Sequence, residues 1–454
     1  MKCTLHNLGC KVNSYETEAM RQLLEAAGYE IVEFGSETAD VYIINTCTVT
    51  NIADRKSRQM LHKAKKDNPN AVVVAAGCYV QEAGEKLLAD EAVDIIVGNN
   101  RKGQIVEVLE EYFKGRNIDN SFIDINKTRE YENLEINASL AHTRAYIKIQ
   151  DGCNQFCTYC IIPFARGRVR SRKIEDIIDE VRKLAESGCH EIVVTGIHLS
   201  SYGLDFDNTE YNAQPVPNAE RLLQVLEAIA AVDGIDRIRL GSLEPRIITD
   251  TFLERLSAIP QICPHFHLSL QSGCDETLKR MNRRYDTEEF GEGVEKIRRY
   301  FDKPAITTDV IVGFPGETDE EFAITRKYLE EINFFEMHVF KYSRRKGTIA
   351  DRMENQIPDS VKSERSDVLI ELDEELSRAY RESFAGSAEK VLVEEYVECD
   401  GIKYAVGHTK RYVKVYISLD CAQAQDIKIN AEIPVIITGI FGKDSVISKV
   451  AIAN

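Results

Sequence analysis

Residues 144–172 read RAYIKIQDGCNQFCTYCIIPFARGRVRSR, an alternating run that passes directly into three closely spaced cysteines. The period-two pattern of RAYIKIQ (144–150) predicts a β-strand, so Cys153, Cys157 and Cys160 stand at its carboxyl end in a C-x3-C-x2-C spacing. Three thiolates are supplied, not four. A structural zinc site needs four ligands, and His142 and His198 are arbitrary completions. A four-iron cluster held by three thiolates leaves one iron open to an exogenous group, which favours an iron–sulfur site over zinc or plain core cysteines.

Further strands are predicted outward from this one at EIVVTG (191–196), RIRLGS (237–242), HFHLSL (265–270), TTDVIVG (307–313) and MHVFKY (337–342), with helical patterns between them. Six such units predict an open or partial β/α barrel whose site lies at the strand carboxyl ends. A charged helical stretch after Pro358, VKSERSDVLIELDEELSRAYRESF, reads as a brace.

Upstream, KCTLHNLGC (2–10), VYIINTC (41–47), AVVVAAGC (71–78) and DIIVGN (94–99) predict buried strands of a parallel α/β domain. Cys10, Cys47 and Cys78 follow three of them, and parallel sheets gather their functional loops at that end, so the three should converge. The helical stretch after Cys10 is expected to open with Ser14 as N-cap and to close at Gly28. Lys114 to His142 reads as a polar linker. After Gly386 the pattern turns to short alternating strands with turn signals, expected to form a small antiparallel, OB-like barrel.

The chain has 454 residues, too many for one core, and a net charge of -17, which excludes nucleic-acid binding through bulk positive charge. Twelve cysteines in a chain with no secretory leader pattern point to metal or cluster binding in a reducing compartment, not to disulfides. No apolar run reaches the ~18–20 residues of a membrane span, and a cytoplasmic location is expected. The charge is uneven: from Arg381 to Asn454 nine Lys/Arg meet ten Asp/Glu. Phosphate contact needs only a few placed cations.

The segment YIKIQDGCNQFCTYCIIPFARGRVRSR resembles the cluster loop of radical S-adenosylmethionine (SAM) enzymes, and of their methylthiotransferases in particular; the resemblance spans essentially the whole chain. It implies an N-terminal domain at 1–125, a radical SAM core at 139–375 and an RNA-binding TRAM domain at 378–454. Two [4Fe–4S] clusters are implied: one on Cys153, Cys157 and Cys160 that binds SAM, and an auxiliary one on Cys10, Cys47 and Cys78 that carries the sulfur to be transferred. LGCKVNSYET, INTCTVTNIADRKSR and RLGSLEP look like the MtaB-type branch, which methylthiolates C2 of N6-threonylcarbamoyladenosine beside the tRNA anticodon. The isopentenyladenosine branch would carry Gln-Met-Asn where this chain has Lys11-Val12-Asn13. Two further readings compete with it: a branch acting on a ribosomal-protein aspartate, and a non-catalytic iron–sulfur protein that binds RNA.

The resemblance also implies SAM contacts at Thr195, Gly196, Ser242, Glu244, Gln271, Gly313 and Glu317. A sulfur donor and a reducing electron-donor protein are implied as partners beside tRNA. The carboxylate of the threonylcarbamoyl group calls for a cation or several hydrogen-bond donors, and at least one of Arg166 and Arg168 is expected to contact that carboxylate or the neighbouring phosphate. Lys410 and Arg411, beside Tyr404 and Tyr412, are the expected RNA contacts. Cys3, Cys189, Cys263, Cys274, Cys399 and Cys421 show no ligand spacing, and most of them read as buried small hydrophobes, Cys274 standing apart near the rim of the expected site.

Overall fold

A computed structural model describes residues 1–116, 123–137, 143–206, 219–420 and 426–451. The N-terminal sheet is parallel, in the order β2-β1-β3-β4-β5, built from β1 (Lys2–Asn7), β2 (Glu30–Ile31), β3 (Val41–Thr46), β4 (Val72–Gly77) and β5 (Ile95–Val97). β3 and β4 are buried at every position, as sheet strands covered by helices on both faces must be. The short β2 adds a fifth strand to the four expected. Helix α1 (Lys11–Ala26) starts at Lys11, three residues before the expected cap, because the Ser14 N–H already bonds the Cys10 carbonyl. Helices α2 (Asn51–Asp67) and α3 (Cys78–Leu88) follow the next two cysteine-bearing strand ends.

The second series comprises β6 (Arg144–Asp151), β7 (Arg170–Ser171), β8 (Glu191–Gly196), β9 (Arg237–Leu240), β10 (His265–Gln271), β11 (Ala305–Val312) and β12 (Glu336–Lys341). The six expected strands are all present, in two sheets ordered β7-β6-β8-β9 and β10-β11-β12. Single parallel bridges, Ile238 with Ile262 and Leu243 with Leu268, carry the curvature across the seam. Ile147, Ile149, Ile192 and Val194 point outward into the core shared with the helices. The opposite face therefore carries Arg144, Lys148, Glu191 and Arg239 into the barrel interior. α1 packs along β6 and β8.

The stretch expected as a linker is more than that. Ile125, Leu134 and Ile136 are buried, and the Leu134 carbonyl accepts the Tyr15 hydroxyl of α1, so the described part straps the N-terminal sheet to the barrel. The brace runs as a helix over Asp359–Glu382. Beyond it β13 (Ala388–Cys399), β14 (Ile402–Thr409), β15 (Lys414–Ser418), β16 (Glu432–Phe441) and β17 (Ser445–Val450) close a barrel. It is antiparallel except for the closing pair β15–β17, which is parallel. That pair removes both open edges.

Candidate active site

β1, β3 and β4 are adjacent and parallel, so the chain leaves them on one side carrying Cys10, Cys47 and Cys78. Asn13 fixes the loops to one another: its Nδ2 donates to the carbonyls of Leu8 (2.7 Å) and Thr46 (3.0 Å), while its own carbonyl accepts from Asn45 (3.0 Å). Gly9 and Gly77 precede two of the cysteines with φ of +109° and +94°. A Cβ on Gly9 would stand 2.8 Å from the Cys47 sulfur, and one on Gly77 2.5 Å from Asn45 Oδ1. Burial, then the neighbouring thiols Cys78 and Cys10, push the Cys47 thiol up to about 12, and Arg166 opposes them. Arg166 Nε donates to the Cys78 sulfur at 3.2 Å.

The second group repeats this plan. Gly152 has φ of +70°, and a Cβ there would fall 1.9 Å from the Arg168 carbonyl oxygen; the Cys153 N–H bonds the Gly167 carbonyl at 3.0 Å. Burial and then Cys157 push the Cys160 thiol up to about 12, with Arg283 opposing. Arg283 donates through Nη1 to the Cys157 sulfur (3.2 Å), through Nη2 to the Ser269 carbonyl (3.1 Å) and through Nε to Tyr285 (2.8 Å). All six cysteines are free thiols. Two triads of mutually opposed thiols, each with a guanidinium on one sulfur, suit thiolate ligation: crowding costs the ions less once cluster iron and the arginine share their charge.

Between the triads lies a buried ionic network. Arg166 Nη1 donates to Glu16 (2.9 Å) and Asp151 (3.2 Å), and its Nη2 to Asn13 Oδ1 (2.5 Å). Lys148 reaches Glu16 at 2.9 Å and Asp151 at 3.2 Å, and Lys102 pairs with Glu16 as well. Burial would raise the Glu16 carboxyl, yet Arg166, Lys102 and Lys148 hold it well below its ordinary range. The expected role of Arg166 as an open substrate cation is corrected here: it is fully buried and its donors are taken by Glu16, Asp151, Asn13 and Cys78. Arg168 stacks on the Phe156 ring at 4.4 Å.

The residues expected at SAM converge at the carboxyl ends of β8 to β11. Thr195 and Gly196 end β8, Ser242 is exposed after β9, and Gln271 ends β10 with φ of +72°. Glu244 accepts from Gln155 (3.0 Å), from His198 (3.1 Å) and from Arg246. Burial opposes its ionisation, but His198 and Arg246 outweigh it and hold the carboxyl down to about 2. Glu317 is corrected: its Oε2 accepts the Gly313 N–H (2.6 Å) and Arg365 (2.6 Å), so it closes its own turn. Sequence reasoning missed Arg283 and Gln155, and it named Glu244 and His198 without pairing them.

Lys410 and Arg411 also need correction as open RNA contacts. Arg411 bonds the carbonyls of Asp302 and Lys303 and the Glu389 carboxylate, and Lys410 bonds the Pro260 carbonyl. Tyr412 lies against Arg144, Arg239 and His408. This edge of the C-terminal barrel faces the six-strand barrel. Cys3, Cys189 and Cys263 are buried as expected, Cys274 is buried too and Cys399 partly so, while Cys421 and His142 lie outside the described residues.

The Radical SAM superfamily matches residues 147–329, and the uncharacterized protein family UPF0004 matches residues 2–98. The chain is 43% identical over 90% of its length to the threonylcarbamoyladenosine tRNA methylthiotransferase MtaB of Bacillus subtilis, covering 89% of it. It is 39% identical over 87% to the protein of that name from Aquifex aeolicus, covering 93% of it. The tRNA-2-methylthio-N(6)-dimethylallyladenosine synthase of Aquifex aeolicus is 37% identical over 87% of this chain and 88% of its own. In fold, the chain resembles the radical SAM methyltransferase TsrM from Kitasatospora setae, solved with cobalamin and a [4Fe-4S] cluster, with a TM-score of 0.57 at 16% identity over 77% of this chain and 76% of that one. With its two thiol triads and this similarity along nine-tenths of its length, the chain belongs to the radical SAM methylthiotransferases, transferases whose cofactors are SAM and [4Fe–4S] clusters.

Proposed function

We propose that the chain transfers a methylthio group to C2 of N6-threonylcarbamoyladenosine next to the anticodon of tRNA. The observation that carries this is the 43% identity over 90% of the chain to a relative named for that activity. Relatives named for dimethylallyladenosine match at 35–37% and supply the second reading.

Cys153, Cys157 and Cys160 hold the cluster that binds SAM, and Cys10, Cys47 and Cys78 hold the auxiliary cluster. When bound, the first group supplies the electron that cleaves SAM and the second presents the sulfur. The protein's own residues set the geometry. Arg283 and Arg166 steady one sulfur in each triad, and Thr195, Gly196, Ser242, Glu244 and Gln271 line the strand ends where SAM sits. The units 1–125, 139–375 and 378–454 divide sulfur delivery, SAM cleavage and RNA docking, and a sulfur donor and a reducing protein complete the cycle. On the C-terminal barrel, Tyr416 and Phe441 beside Lys414 offer stacking surface and a cation for RNA.

The test is anaerobic reconstitution, incubation with reductant, SAM and anticodon stem-loops bearing either modified adenosine, and mass spectrometry of the nucleosides. A methylthio adduct on threonylcarbamoyladenosine supports the reading. An adduct solely on the dimethylallyl nucleoside moves the chain to the second reading.

A further inference from the structure

His267, Asp309 and His338 stand on the adjacent parallel strands β10, β11 and β12. The register sets His267 opposite Thr307, and Asp309 opposite His338. Paired positions, and positions two apart on one strand, share a face, so these four side chains project the same way. Phe266, Leu268, Ile306, Val310 and Met337 alternate with them and pack into the core shared with the helices. The face carrying the two histidines and the aspartate is therefore the barrel interior. They lie outside both cysteine triads, and His267 and Asp309 each precede by four residues the strand ends at Gln271 and Gly313.

One nitrogen from each imidazole and one Asp309 oxygen lie within 4.8 Å of one another. The rings of His267 and His338 are stacked, with centroids 5.8 Å apart. His267 Nε2 and Asp309 Oδ2 are separated by 3.3 Å. Metal–ligand bonds of about 2.0–2.1 Å at the tetrahedral angle hold two donors roughly 3.3 Å apart, so this pair already has ligand spacing. The other ring nitrogen of His267, Nδ1, is 3.0 Å from Thr307 Oγ1. A hydroxyl that accepts from Nδ1–H fixes the ring and turns the Nε2 lone pair toward Asp309, the support a metal-bound imidazole ordinarily has. Two acceptors then face each other, and a cation between them removes the repulsion. A plain hydrogen bond from Nε2–H to Asp309 is the competing arrangement, and it gives His338 no part. His338 is exposed on the outer strand of its sheet. An ion can enter from that side, and an exposed ring changes rotamer readily enough to close on it.

We propose that His267, Asp309 and His338 bind one divalent transition-metal ion of the zinc type, with the fourth position left to water. Two imidazoles and a carboxylate select such an ion over magnesium or calcium, which take oxygen ligands. The ion pins the outer strand β12 to β10 and β11 across the barrel interior. The site is distinct from the six cysteines and does not depend on the reading under Proposed function.

The test uses the reconstituted enzyme, dialysed against buffered free zinc. Wild type, Asp309→Asn, His338→Ala and Thr307→Val are compared for zinc bound per chain, with iron content as the control for folding, and zinc K-edge X-ray absorption identifies the neighbours of the ion. Wild type is expected to hold one zinc among nitrogen and oxygen neighbours. Asp309→Asn and His338→Ala should weaken binding by about tenfold or more, and Thr307→Val by about tenfold, the usual cost of removing the outer hydrogen bond to a ligand. Because His338 is exposed, its variant decides the matter even if Asp309→Asn loses iron. If wild type holds no zinc at micromolar free concentration, if sulfur neighbours surround the ion, or if His338→Ala binds it as tightly as wild type, the inference is overturned.

Discussion

Arg166 and two glycines carry most of what single residues decide here. Arg166 is fully buried against Glu16 and Asp151. Removing one partner of a buried pair leaves an uncompensated charge, so Arg166→Ala is expected to lose about 3–5 kcal/mol, read as a lower urea midpoint, with Arg166→Lys intermediate. Gly77 and Gly152 each open a cysteine segment in a backbone region that disfavours a side chain, and a Cβ at either strikes atoms at 2.5 Å or less. Gly77→Ala and Gly152→Ala should each fail to retain about half of the iron that wild type holds after reconstitution. They should part on SAM cleavage, with 5′-deoxyadenosine lost in Gly152→Ala and kept in Gly77→Ala. The cysteine spacing was legible because ligand chemistry is written locally. Arg166 was not, because a basic run such as ARGRVRSR reads as solvated until the carboxylates that face it, contributed by α1 and β6, are known.

Among the elements, the brace helix offers a pH test. Asp373 on Asp359–Glu382 accepts the Met337 N–H of β12 at 2.6 Å. Burial, against that bond and reinforced by Glu336, pushes its carboxyl up to about 6. The folded chain therefore holds this proton more tightly than the unfolded chain, whose aspartate titrates near pH ~4. Stability from this group falls as pH rises between about 4 and about 6, and the penalty is complete at pH 7. Asp373→Asn keeps an acceptor and removes the charge. It should be about 1–2 kcal/mol more stable than wild type at pH 7, after allowing for solvent screening of a partly exposed group, and the gap should narrow at pH 5. The long strands were legible, since runs such as 41–47, 71–78 and 191–196 are apolar enough to exclude a surface helix, whereas the two-residue strands β2 and β7 are too short to leave a pattern. The strap at 123–137 was not, because its few apolar residues find partners only once α1 and the barrel are in place.

Across the whole molecule, the N-terminal sheet is fastened to the barrel at two places. Arg166 and the strap hold one side; on the other, Arg345 donates to Asp54 (2.5 Å), Thr48 (2.7 Å) and Asn51 (2.9 Å) just beyond Cys47. Arg345→Ala should speed proteolytic release of the N-terminal sheet while leaving the C-terminal barrel docked. That barrel turns the cations expected at RNA, Lys410 and Arg411, toward Pro260, Asp302 and Glu389, a commitment that a basic run beside tyrosines does not reveal in the sequence. The contact of Arg166 with Cys78 has a last consequence. This arginine belongs to the segment that begins with Cys153, Cys157 and Cys160, yet it holds a sulfur of the other triad. With a cluster on each triad, as proposed, order gained by filling one is expected to pass to the other through this contact, and thermodynamic reciprocity then requires the help to run equally in both directions. Stepwise iron titration should therefore be sigmoidal in wild type and approach two independent isotherms in Arg166→Lys, a cooperativity located in one guanidinium.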